Sequence, residues 1–184
     1  ADVFSIFLID AFFDEDGAQA LAYDAALGFW GEAVMRDSEG GEVAYWSTHG
    51  PDEQRFYNTV CIFYGGNPDA RDDFAEDMEL PEDRAETCEE EYDLAADSWG
   101  AVLDAMTERQ DGHVMEAGFK PVSFAAEVLL AEIEAMNAEV RWDAPLTVIV
   151  EECGEANAFY APSERLVIFC TEFETHLREM YRAF

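Results

Sequence analysis

The sequence predicts an α+β protein, mostly helical with a small β-hairpin or sheet, stapled by two disulfides. Three observations carry this reading. Apolar residues recur at helical spacing from the start, with Phe4, Phe7, Leu8, Ala11 and Phe12 forming one buried face. Two runs rich in β-branched residues, Leu-Thr-Val-Ile-Val at 146–150 and Leu-Val-Ile-Phe at 166–169, read as the two strands of one hairpin. Four cysteines, Cys61, Cys88, Cys153 and Cys170, stand at the ends of expected elements.

The first helix is expected over 2–13, ended by the acidic turn Asp14-Glu15-Asp16-Gly17. This turn lacks the acidic spacing and the closing glutamate of a calcium loop, so it is read as solvated. A second helix over about 18–35 stops at the Gly40-Gly41 loop. Pro51 with Asp52 and Glu53 opens a helix over 51–64, because proline suits the first turn and acids suit its positive end. A short helix follows near 68–77. Pro81, Glu82 and Asp83 open a long one reaching about 107. Beyond a linker at 110–118 come a short strand at 119–123, a helix at 125–140, the hairpin, and a last helix from 171. The chain is thus expected to be a single domain over 1–184, with a helical part at 1–109, the linker at 110–118 and a small α+β part at 119–184.

Composition narrows the function. A chain of 184 residues can bury a core of its own, and 49% apolar residues with 14 Phe, 7 Tyr and 4 Trp exclude disorder. Forty-two acidic residues face 10 basic ones, a net charge of -32, and Lys120 is the single lysine. Such a surface repels nucleic acid and anionic lipid; it suits solubility in a salty habitat first, and otherwise a cationic partner or mimicry of nucleic acid. No apolar run approaches the roughly 20 residues that span a bilayer. The chain opens already in helical rhythm without a cap, which reads as the remainder of a longer precursor.

Four cysteines allow three pairings. The expected pairs are Cys61 with Cys88 and Cys153 with Cys170, the second brought together by the hairpin; the alternative is four buried free thiols. Two disulfides imply an oxidising compartment, so the protein is expected to be periplasmic or secreted. No Cys-x-x-Cys spacing supports a zinc ribbon or a redox site.

Few residues point to chemistry. The histidines are His49, His113 and His176, and no His-Glu-x-x-His occurs. Glu172 and His176 share a helix face and are the weak metal candidates, short of the three protein ligands that a catalytic zinc needs. There is no Gly-x-Ser-x-Gly elbow and no glycine loop entering a helix. The substrate-groove candidates are His49, Gln54, Arg55 and Asn58 in one block, and Asn157 and Tyr160 in the turn of the hairpin. Exposed aromatics and amides on an edge strand can take a peptide by strand addition. The structural alternatives are Arg55 in an ion pair and Asn157 holding a turn.

In these blocks the chain resembles the putative zinc metallopeptidase family grouped as domain of unknown function 4344. The resemblance rests on Glu152-Cys-Gly-Glu-Ala-Asn-Ala-Phe-Tyr160 with Cys170-Thr-Glu172, and on His49-Gly-Pro-Asp-Glu-Gln-Arg-Phe-Tyr-Asn58. It continues through Cys61, Tyr64-Gly-Gly-Asn-Pro68, Leu80-Pro-Glu-Asp-Arg-Ala85, Cys88 and Ser98-Trp99. It implies a zincin-like α+β fold, secretion or a periplasmic site, and a zinc held by a His-Glu-x-x-His helix and a following acid. In that scheme the helix glutamate is the general base on metal-bound water. No residue here matches those positions, so no catalytic residue and no metal ligand carries over. Ala1-Asp2 resembles the tail of the acidic segment, which places the metal helix upstream of residue 1. The Asn-Ala-Phe-Tyr block follows the helical part here, whereas the commoner order has it first, as in a permuted branch.

The functional expectation is a zincin-type metallopeptidase represented by its non-catalytic portion, inactive as this chain alone. Zinc is expected for the complete family protein and none for this chain; a peptide or protein is the substrate of the complete protein. The alternative is a non-catalytic acidic binding protein or pseudoenzyme subunit engaging a basic partner.

Overall fold

A computed structural model describes residues 1–183. In chain order the elements are α1 (Asp2–Phe12), α2 (Glu15–Ser38), α3 (Asp52–Gly66), α4 (Pro68–Asp77), α5 (Glu82–Ala85), α6 (Cys88–Thr107), β1 (Met115–Ala117), α7 (Phe124–Glu139), β2 (Leu146–Glu151), β3 (Ala158–Ala161), β4 (Leu166–Cys170) and α8 (Thr171–Ala183). The protein is mostly helical with one four-stranded sheet and two disulfides, Cys61–Cys88 and Cys153–Cys170. It divides into two compact units, Ala1–Ala101 and Val102–Arg182.

The first unit is built on a close approach of α2 to α3. Ala18, Ala22 and Ala26 recur every fourth residue on one face of α2, and all are buried. Their small side chains let the axis of α3 come near, and Phe56, Val60 and Phe63 of α3 fill the remaining space with Ile6, Phe74 and Met78. The rings lock by edge contacts: Phe63 lies 5.0 Å from Phe74, which lies 4.8 Å from Tyr23.

Arg71 is the one basic side chain buried in this unit among the described residues, at 3% exposure. Its Nε donates to Glu15 Oε1 at 2.7 Å, and its Nη2 donates to Asp10 Oδ1 at 2.5 Å and Glu15 Oε2 at 3.0 Å. Nη1 donates to the Phe63 carbonyl at 2.5 Å, and the guanidinium lies 3.8 Å from the Phe63 ring centroid. Tyr92 Oη completes the group by donating to Asp10 Oδ2 at 2.6 Å. One planar cation therefore joins α1, α2, α3 and α4, and reaches α6 through Asp10.

Two expectations for this unit need correction. Asp14 and Asp16 are exposed as expected, but the turn does not extend over 14–17: Asp14 accepts a 3.0 Å bond from the Gly17 amide and caps α2, so helix resumes at Glu15. The long helix expected from Pro81 is interrupted at residues 86–87. There the Thr87 hydroxyl donates to the Arg84 carbonyl at 3.1 Å, a local bond that competes with helical pairing.

In the second unit the sheet has the order β1-β2-β4-β3. The expected hairpin of 146–150 with 166–169 is not formed. Those runs are β2 and β4, which lie parallel, with Thr147 opposite Leu166 and Glu151 opposite Cys170. The antiparallel partner of β4 is β3, so the Asn157-to-Tyr160 block is edge strand and not turn. The parallel pairing is what closes the second disulfide. It puts Cys153, just beyond β2, at the same end as Cys170, whereas an antiparallel pairing would set Cys170 near Leu146. The strand expected at 119–123 is absent, since Pro121 offers no amide donor and Ser123 caps α7. The strand lies instead at 115–117, within the expected linker, where the Asn137 side chain exchanges two 2.8 Å bonds with the Met115 backbone.

Gly65 shows how tightly α3 meets the start of α6. A Cβ there would stand 2.1 Å from the Cys88 carbonyl oxygen, which the disulfide to Cys61 prevents from retreating. Gly65→Ala is expected to lower stability by about 2–3 kcal/mol in urea denaturation. Gly28, with nothing within 4 Å of its virtual Cβ, sits inside α2, and Gly28→Ala is expected to raise stability by about 0.5–1 kcal/mol in the same measurement.

Candidate functional site

The block carrying His49, Gln54, Arg55 and Asn58 surrounds the N-terminus of α3. Pro51 precedes the helix and Asp52 and Glu53 occupy its first turn. Arg55, one turn in, grips Asp2 with two bonds, Nε to Oδ2 at 2.9 Å and Nη2 to Oδ1 at 3.1 Å. Its guanidinium also lies 4.0 Å from the Phe29 ring centroid. The bonds from Arg55 hold the Asp2 carboxyl below the usual carboxylate range against the opposing effect of burial, with the charge of His49 acting in the same direction. Asp52 goes the other way, pushed up by burial although Arg55 and Arg36 both attract its charge. Arg36 binds Glu53 directly and holds that carboxyl down.

A cleft of about 280 Å³ opens here, lined by Arg36, Val43, His49, Asp52 and Arg55 among others. Gln54 is exposed, with its amide oxygen against Gly50. Asn58 stands away from the cleft and accepts a 3.3 Å bond from Arg84 Nη2. The structure thus brings His49 and Arg55 together and adds Arg36, which the sequence did not single out, and Asp2, which it read only as the tail of an acidic segment.

Asn157, Tyr160, Glu172 and His176 lie in the second unit. Glu172 stands in the first turn of α8, and its carboxylate accepts from the amides of Cys153 (3.1 and 3.2 Å) and Gly154 (2.5 Å). Gly154 has φ +80°, a left-handed conformation that turns its amide into this clamp. Bonds from its own amide, then from those of Cys153 and Gly154, hold the Glu172 carboxyl below its usual range. The side chain four residues on, His176, stacks on Phe173 at 6.1 Å between centroids.

Asn157 has two jobs at the start of β3. Its carbonyl accepts from the Cys170 amide at 3.1 Å, and its side-chain oxygen accepts from the Ala158 amide at 2.8 Å. Antiparallel strands alternate inward and outward pairing, so with Asn157 bonded to β4, the backbone groups of Ala158 and Tyr160 face the open edge. Asn157 covers one of them. Phe159 and Tyr160 are 39% and 58% exposed beside it.

Among the described residues, one group of three metal-type donors lies close together: Cys153, Cys170 and Glu172, with ligand atoms within 4.8 Å of one another. It does not fit zinc. Zinc binds thiolates, and both sulfurs are consumed in the disulfide, while the Glu172 oxygens are taken by backbone amides. The remaining cysteines, Cys61 and Cys88, are also joined to each other.

The family described as putative metallopeptidase, domain of unknown function 4344, has a model that matches residues 1–103 and 108–183. The chain belongs to this family. No curated protein and no solved structure matches it. The match takes in Asp2, Arg55 and the Arg71 group at one end, and the Cys153–Glu172 clamp and edge strand at the other.

The clamp gives a direct expectation. A carboxyl whose folded pKa is depressed contributes stability above its unfolded pKa, and that contribution is lost as pH falls through the folded value. Hydrogen-exchange protection of the Cys153 and Gly154 amides, corrected for intrinsic rates, is therefore expected to fall on acidification. Glu172→Gln, which keeps one acceptor and loses the charge, is expected to lower that protection by about ten-fold at neutral pH.

Proposed function

We propose that these residues form the non-catalytic portion of a zincin-type metallopeptidase, supplying scaffold and peptide-side surface, while the zinc ligands come from residues outside this sequence. Family membership supports a peptidase-like role and a metal such as zinc. The observation that carries the reading is the mismatch between that family and the donors here: the one close-set trio among the described residues is closed by a disulfide and a backbone clamp.

The peptide side is assigned to β3. Its outward backbone groups at Tyr160 are free to extend the sheet, and Phe159 and Tyr160 offer side-chain contact to an extended peptide. His49 and Arg55 are assigned to a second, polar surface, where Arg55 is held by Asp2. Disulfides at both cysteine pairs suit an extracellular or periplasmic site.

A second reading is an acidic binding protein or pseudoenzyme subunit that takes a basic partner. It is favoured by the net charge of -32, and by the engagement of Arg36, Arg55, Arg71, Arg84, Arg109 and Arg178 with the chain's own carboxylates. Salt-sensitive capture of a cationic protein without metal supports that reading over the first.

The proposal is tested by a competition between this chain and a chromophoric zinc chelator, alongside a peptidase assay with added zinc; salt-sensitive capture is what separates the two readings. The expected outcome is no stoichiometric zinc uptake under oxidising conditions and no turnover. Hydrolysis that a chelator stops and that Glu172→Gln abolishes would overturn the proposal.

A further inference from the structure

Between α2, α3 and the end of α4 lies a pocket of about 180 Å³, apart from the cleft at His49. Leu27 and Trp30 of α2 and Phe56 and Tyr57 of α3 form its walls, with Met78 behind them. Leu27 and Trp30 are 40% and 37% exposed, whereas Phe56 and Met78 are nearly covered, so the pocket has a buried floor and an open apolar lip. The walls are fixed by ring contacts, Trp30 to Phe56 at 5.3 Å and Phe56 to Tyr57 at 4.9 Å. The pocket is smaller than the roughly 300–1,000 Å³ usual for small-molecule and cofactor sites, and suits a single side chain.

Its rim carries two carboxylates, Asp77 and Glu79, and its lining holds no base. The Tyr23 hydroxyl donates to Asp77 Oδ2 at 2.7 Å and fixes that carboxylate in place. Glu79 has φ +51°, a left-handed conformation just beyond the end of α4 that glycine adopts more readily. A charged side chain therefore stands at the lip where the backbone would favour none.

We propose that this pocket takes an aliphatic side chain from a basic peptide segment, with Asp77 and Glu79 meeting the lysine or arginine next to it. Charge chooses this occupant. A second copy of the chain brings another -32 and is repelled, whereas a cationic segment is drawn to the rim and offers the pocket an apolar anchor. The part-exposed rings of Trp30 and Tyr57 in the lining add a further attraction for cations. This inference does not rest on the metallopeptidase reading.

The test uses the whole chain with its methionine methyl groups labelled for NMR, titrated with the peptide Ac-Lys-Lys-Leu-Lys-Lys-NH2. A control peptide carries Ser in place of Leu and has the same charge. The expected result is a saturable shift of the Met78 methyl signal with the Leu peptide, and binding at least about five-fold weaker with the Ser peptide. Glu79→Gly is expected to keep or raise the thermal midpoint while weakening the Leu peptide by about three-fold, so lost binding cannot be mistaken for lost folding. Leu27→Ser, a change at the open lip, is expected to weaken it further. Equal binding of both peptides with Met78 unmoved would mean general charge attraction only and would overturn the proposal. So would wild-type affinity in both variants.

Discussion

The first unit depends on the burial of Arg71. A guanidinium taken out of water needs its donors met and its charge balanced, and this one makes four hydrogen bonds, to Asp10, Glu15 and the Phe63 carbonyl, with an aromatic face beneath it. Those partners come from three different helices, so the cation fixes where α1, α2 and α3 lie relative to α4. Replacing such a group with matched apolar residues is often harmless, but removing one partner leaves an unmet buried charge. The arrangement therefore specifies a geometry more than it adds stability. Bonds from Arg71 hold the Glu15 carboxyl below its usual range, as expected of a fixed partner.

The same economy of cations governs the rest of the surface. With 42 acidic residues and 10 basic ones, an arginine is placed where it meets one carboxylate or gathers several. Arg36 gathers Asp37, Asp52 and Glu53, and Arg55 holds Asp2 with Asp52 alongside. Arg84 joins Glu91 and Asn58. What remains is a surplus of unpaired negative charge, and the pocket at Leu27 and Trp30 is an apolar gap within it. In the second unit, where Glu172 stands at a helix start, backbone amides do the work that arginine does in the first.

Much of this is legible in the sequence because it is local. Helix starts at Pro51 and Pro68 and the helical faces of α1 to α4 follow from spacing and capping chemistry, and α4 covers the predicted 68–77. The expected cysteine pairs form, but not for the expected reason: Cys61 lies inside α3, and Cys153 meets Cys170 at the end of parallel strands. Strand direction is not legible. Residues 146–150 and 166–169 look the same whether parallel or antiparallel, and only β3 inserted at the sheet edge decides it. At the site, Arg55 and Asn157 can be singled out because rare cations and turn amides attract notice. The contacts of Arg71, Asp2 and Glu172 are invisible because each partner is distant in the chain. The Arg71 contacts with Asp10 and Glu15 span 61 and 56 residues. Asp14 is ambiguous for a different reason: a solvated acidic turn and a helix N-cap share a composition, and only the conformation of residues 15–18 tells them apart.

If the Arg71 group acts as one unit that holds the helices of the first half in register, its members must be energetically coupled. A double-mutant cycle tests this most directly: urea denaturation of Arg71→Met, Asp10→Asn and the pair together. Strong non-additivity is predicted, an interaction energy of roughly 1.5 kcal/mol or more, because either single change strands the other's charge or bond. Costs that add to within about 0.5 kcal/mol would show two independent contacts and contradict the coupling.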